Sequence, residues 1–216
     1  MTTISNFKAS TSDRAAAIQQ AFVLEYITIA WMVIEAAVAI GSGIAANSLA
    51  LIAFGVDSII ELASACVPVW RLTVELRRGE AFAESADRIA SRVGGALLFA
   101  LAAYVVVSAG WKLWAQEGAD FSTPGLVVSV LAIPIMYFLS RRKLALAKSL
   151  GSRALKADAI ESITCGWLSF VVVAALAVQL LIGAWWVDAV ASLGIVWLLI
   201  REGREAWHGE ECCDHD

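Results

Sequence analysis

Six runs of mostly apolar residues, near positions 21–45, 48–70, 90–114, 124–140, 155–182 and 185–201, fix most of what this chain can become. About 20 apolar residues in a row is the length that crosses the hydrocarbon layer of a bilayer. Inside lipid every backbone N–H and C=O must find a partner within its own segment or a closed barrel, and beta-barrel alternation is missing, so each run predicts a helix. Composition agrees: 60% of the 216 residues are hydrophobic, and the mean hydropathy is +0.74, above what a soluble domain of this size carries. The expected fold is an all-α membrane protein, a six-transmembrane-helix bundle. Residues 1–20 read as a polar lead-in able to form a short surface helix, 21–204 as the six-helix membrane unit, and 205–216 as a short cytoplasmic tail.

The net charge of −4 matters less than where the charges fall. Of sixteen Lys and Arg, only Lys112 lies on the side of the loops that follow the first, third and fifth spans. The positive-inside rule makes the other side cytoplasmic, with both termini on it, in a cell (inner) membrane crossed several times. The basic loops are short and explained by topology, so nucleic acid is not an expected partner; the lipid bilayer is. No cleavable signal peptide is expected, because the first 20 residues are polar. Of the four cysteines, Cys66 and Cys165 fall in spans, while Cys212 and Cys213 are adjacent, a poor geometry for a relaxed disulfide.

Two spans carry acids that hydrocarbon does not tolerate idly. The second reads Asp57-Ser58-Ile59-Ile60-Glu61 and the fifth Glu161-Ser162-Ile163-Thr164-Cys165. Each holds two metal-capable side chains four residues apart, on one helix face. One charged residue at mid-bilayer costs roughly 2.5–3.5 kcal/mol on insertion scales. The two spans occupy equivalent places in two halves of three and run in opposite directions, an inverted-repeat arrangement that puts a substrate site near the midplane. Packed side by side, Asp57 would face Cys165, and Glu61 would face Glu161. Four donors suit tetrahedral Zn²⁺. The thiolate favours Zn²⁺ and Cd²⁺, and the carboxylates keep Mn²⁺ and Fe²⁺ open. Small residues near each pair (Gly55, Ser58, Ala159, Gly166) are expected to let these two helices approach closely.

Several other residues are candidates. Glu35, in the middle of the first span, is an auxiliary metal or proton group or a hydrogen-bonding partner of a neighbouring helix. Asp158 is a second auxiliary metal or proton candidate lining the inner approach, or a helix-entry acid near Lys156; Glu25 snorkels to the interface, and Asp188 serves the start of the sixth span. His208, Cys212, Cys213 and His215 in the tail either capture metal or form a solvated acidic end. His occurs in none of the spans and no nucleophile–base arrangement is visible, so no enzymatic activity is expected.

The two motifs together resemble the cation diffusion facilitator family, whose second and fifth helices carry an Ala-Asp-x-x-His-Ser-x-x-Asp type of pattern. Here the fifth span reads Ala157-Asp158-Ala159-Ile160-Glu161-Ser162, and Trp186-Val187-Asp188-Ala189 is similar to the opening of the family's sixth helix. The resemblance implies that Asp57, Glu61, Glu161 and Cys165 are the transport ligands. It implies export of a divalent cation from the cytoplasm by proton antiport, with no cofactor beyond the transported ion. Protons and metal would compete for one site, since clustered acids in a low dielectric cannot all ionise when empty. The sequence departs from the pattern in having no His ligand, in Phe54 where an Asp stands, and in ending before the family's cytoplasmic domain. That domain supports dimerisation, so the resemblance leaves a monomer or a homodimer open. The alternative reading is a membrane metal sensor or metal-delivery protein without transport.

Overall fold

The structure, a computed structural model, describes residues 2–78, 83–150 and 152–208. It is built of six helices: α1 (Thr2–Ala45), α2 (Leu49–Arg78), α3 (Ala83–Ala115), α4 (Thr123–Leu150), α5 (Arg153–Ile182) and α6 (Val187–His208). Among the described residues there is no strand. Five of the helices are long and apolar enough to cross a membrane. The exception is α6, whose apolar stretch ends where Arg201, Glu202, Arg204 and Glu205 begin.

Several helices outrun the apolar segments. The lead-in is not a separate surface helix: α1 is continuous from Thr2, since no Gly or Pro interrupts residues 2–40 and Ala15-Ala16-Ala17 is a strong helix former. Helix α4 passes through Pro134 and continues beyond its apolar run, through Arg141-Arg142-Lys143 to Leu150. Lys and Arg propagate a helix well, so a charge cluster that ends a hydrophobic run need not end the helix. Where helices do start and stop, local chemistry explains it. Ser48 caps α2 through a bond from the Leu51 amide at 3.2 Å. Ser122 caps α4 through the Gly125 amide at 3.1 Å, and Ser152 caps α5 through the Leu155 amide at 3.3 Å. Gly183, at φ 64°, ends α5 in the left-handed conformation that glycine adopts without strain.

The turns after α1, α3 and α5 meet at one end of the bundle. The Asp120 amide donates to the Ala46 carbonyl at 2.8 Å, Gln179 donates to the Ala119 carbonyl, and Gly118 sits against Trp185. Neighbouring helices in sequence therefore run in opposite directions. Helix α1 packs on α4, α2 on α5, and α3 on α6, while α1·α2 in one half is matched by α4·α5 in the other. That pairing of each helix with its counterpart three places on is what an inverted repeat produces.

Large apolar side chains cover the outside: Val107, Leu181, Trp114 and Ile182 are all exposed. The inside holds Phe54, Met32, Met136 and Leu168, together with an unusual number of polar groups. Apolar outside and polar within is the distribution a lipid solvent selects.

Candidate metal centre

Side chains on α2 repeat at helical spacing to form one inward stripe. Phe54, Asp57, Ser58, Glu61 and Ala65 are all buried. On α5 the matching stripe is Leu155, Asp158, Ser162, Cys165, Leu168 and Ser169. These stripes bring Asp57, Glu61 and Cys165 into the interior. Glu161 lies one position off its stripe and is partly exposed. Cys165 is within electrostatic reach of both Glu61 and Asp57, and Glu161 is within reach of Asp57. Asp57, Glu61 and Cys165 thus face the same interior, and Glu161 stands at its edge.

A fifth group comes from α1. Glu35 is fully buried and enters between the two helices. The Cys165 thiol donates to its Oε1 at 3.3 Å, the Ser58 hydroxyl donates to the same oxygen at 2.7 Å, and the Trp31 indole donates to Oε2 at 2.6 Å. Both oxygens of Glu35 are thus satisfied, and it ties α1, α2 and α5 together. The opposite holds for the α2 acids. All four carboxylate oxygens of Asp57 and Glu61 are buried and lack a hydrogen-bonding partner. A buried, unpaired polar atom is costly, and native structures rarely keep one without a water, proton or ion to meet it. Among the described residues, no three His, Cys, Asp or Glu side chains converge closely enough to hold one ion.

The small residues do not all serve the α2–α5 contact. A Cβ on Gly55 would meet the backbone nitrogen of Ile40 at 2.9 Å, so Gly55 seats α2 on α1. A Cβ on Gly166 would touch Met136 of α4 at 3.6 Å.

Other acids are committed elsewhere. Asp158 and Glu25 both pair with Lys143, the latter at 3.2 Å, and all three side chains are buried. Glu25 therefore does not snorkel, and Lys143 is a core residue of the bundle rather than an interfacial cation. Asp188 stands in the first turn of α6, but its carboxylate serves α2. The Ser48 hydroxyl donates to Oδ1 at 2.6 Å, and the Leu49 and Ala50 amides donate at 2.7 and 3.3 Å. Lys112 lies 3.7 Å from Oδ2 and donates to the Asn47 carbonyl. In the tail, Cys212, Cys213, His215 and the side chain of His208 lie outside the described residues.

One buried acid was not singled out by its sequence context. Glu202 of α6 is buried, and both of its carboxylate oxygens lack a partner. Arg201, Arg204 and Glu205 around it read as a solvated helix end. The signal lies in the spacing: Asp188, Ser192, Ile195, Leu199 and Glu202 alternate by four and three, and all five are buried.

The family described as the cation efflux transmembrane domain matches residues 26–207, which include Glu35, Asp57, Glu61, Glu161, Cys165 and Glu202. An uncharacterized transporter of Synechocystis sp. is 28% identical to this chain over 153 residues. Those residues are 69% of this chain and 49% of that protein, so the chain spans about half the length of this curated relative.

Proposed function

This chain belongs to the cation efflux family, and from that premise we propose that it exports a divalent metal ion, Zn²⁺ in preference to Cd²⁺, Fe²⁺ or Mn²⁺, in exchange for protons. Cation transport across a multi-pass helical bundle follows from the family; the ion, the antiport and the ligands are the proposal. The observation that carries it is the pair of buried carboxylates on α2, Asp57 and Glu61, whose oxygens have no partner and which lie near Cys165. Such a pair calls for protons or a cation, and a site that accepts either is the physical basis of exchange. Glu161 completes the proposed ligand set as α5 shifts against α2.

Metal binding needs deprotonated ligands and so displaces protons from the same atoms. If the site opens alternately to the two sides, an inward proton gradient drives metal outward. The charge asymmetry supports cytoplasmic termini in a cell membrane, and it survives the burial of Lys112 and Lys143, which removes one cation from each side. Subunit number, monomer or homodimer, is read by light scattering of the purified chain.

Flux into proteoliposomes tests the reading. Zinc movement should respond to an imposed pH gradient, and Asp57→Ala or Glu161→Ala should abolish it while the protein still folds. Zinc flux indifferent to the gradient would end the antiport proposal. Metal binding by the wild type without any flux would favour a sensor or delivery protein.

A further inference from the structure

The geometry points to a second cation-binding position: we infer that Glu202 of α6 and Glu61 of α2 together take a divalent ion on its way to or from the Cys165 side of the centre. The inference rests on the transport reading above and adds a residue from a third helix. Helices α2 and α6 start level, because Asp188 binds the Leu49 amide, and they run the same way. Glu61 is twelve residues beyond Leu49 and Glu202 fourteen beyond Asp188. At 1.5 Å per residue these are about 18 and 21 Å along the two helices, which places the two acids at similar distances from their common start. The two helices pack together, and Glu202 is within electrostatic reach of Glu61, Asp57 and Glu161 across the bundle and of Arg201 and Glu205 on its own helix, so a single cation stands among several acids.

The rotation of α6 is set independently. A Cβ on Gly203 would meet the Gly95 carbonyl of α3 at 3.3 Å, so Gly203 seats α6 on α3 and the neighbouring Glu202 is turned elsewhere. It is turned inward along the stripe from Asp188. Glu202, Glu61 and Asp57 contribute six buried carboxylate oxygens, none with a hydrogen-bonding partner. Glu202 thus holds nothing together in this arrangement, unlike Glu35 or Asp158. Acids clustered in a low dielectric must hold protons or meet a counter-charge, and a divalent cation bound by two carboxylates and water is one that displaces those protons. The donors here are all oxygen, a hard set that accepts Mn²⁺, Fe²⁺ and Zn²⁺ alike, whereas Cys165 adds the soft donor. Capture is therefore unselective at Glu202 and selection falls at Cys165.

The test uses the full chain in proteoliposomes with Mn²⁺, Zn²⁺ and Cd²⁺ as probes, beside equilibrium binding in detergent. Glu202→Gln should raise the KM for Mn²⁺ and Zn²⁺ about tenfold or more, with a smaller fall in maximal rate, as loss of a metal-site partner does. Glu202→Asp should restore most of it. Glu202→Cys should favour Cd²⁺ over Mn²⁺, a change that a purely structural residue would not produce. An unchanged KM in Glu202→Gln, with Asp57→Asn inactive, overturns this inference and leaves the transport reading standing. No flux in the wild type, with metal binding weakened by Glu202→Gln, does the reverse. Should the Gln variant not fold, a folded Cys variant without the Cd²⁺ preference overturns the inference.

Discussion

Asp188 illustrates how one carboxylate can set the position of two helices. Three donors from the start of α2 and the nearby Lys112 ammonium converge on it. A helix N-terminus presents unpaired amides and the positive end of its dipole, and a buried anion satisfies both. Asp188→Ala should lower stability by about 2–3 kcal/mol, the range of a lost cap and of hydrogen bonds to a charged group. Asp188→Asn should lose less, since one oxygen still accepts. Thermal unfolding in detergent measures both, and equal losses would mean that the charge rather than the cap carries the effect. Cys165 makes a different kind of prediction. Cys165→Asp should retain transport with a weaker preference for Zn²⁺ over Mn²⁺, because the soft donor is gone. Unchanged ion preference in Cys165→Ala would remove the thiolate from the selectivity argument. Residue chemistry of this kind was partly legible in the sequence. Asp57, Glu61 and Glu161 announce themselves as expensive groups in apolar runs, whereas Cys165 was legible only through its place one turn beyond Glu161. That Glu35 holds the Cys165 thiol was not visible, because the two lie 130 positions apart and only the packing of α1 joins them.

At the scale of elements, the α1–α2 crossing shows what small residues are for. Gly43 on α1 faces Ile52 and Leu51, and Gly55 on α2 faces Ile40 and Ala39, each with the partner backbone 2.9 Å from where a Cβ would stand. The two glycines are reciprocal, so the antiparallel helices approach backbone to backbone. Gly55→Ala should cost about 1–3 kcal/mol, the range for forcing extra atoms into a packed contact. Gly41, two positions from Gly43, meets nothing within 4 Å, so Gly41→Ala should be neutral or slightly stabilising. A similar loss in both variants would show that the close crossing at Gly55 is not what sets the cost. Sequence spacing marked Gly55 as a close-approach residue but assigned it to α5. A glycine reports that something comes near, and only the rotation of the helix says what.

Across the whole molecule, the bundle is pinned at both ends and unsatisfied in between. At one end Asp188, Lys112 and the turn contacts join the starts of α2 and α6 to the loops around them. Toward the other end Lys143 of α4 holds Glu25 of α1 and Asp158 of α5 in a buried cluster. The free carboxylates of Asp57, Glu61 and Glu202 lie between the two pins. If the proposed transport proceeds by alternating access, helices move relative to one another about a fixed site, and one pin must yield when the bundle opens on that side. Lys143 is the more decisive test, since Glu161 is within its electrostatic reach. Lys143→Met strips the counter-charge from two buried acids and should destabilise the protein by about 3–5 kcal/mol, as breaking a buried ion pair does. Replacing all three members (Lys143→Met, Glu25→Gln, Asp158→Asn) removes the stranded charges as well and should recover most of that loss. If the cluster is only a fastening, the triple variant will transport like the wild type once folded. If opening depends on releasing it, the triple variant will regain stability and still show an altered transport rate, and that divergence between unfolding temperature and flux is the measurement that separates them.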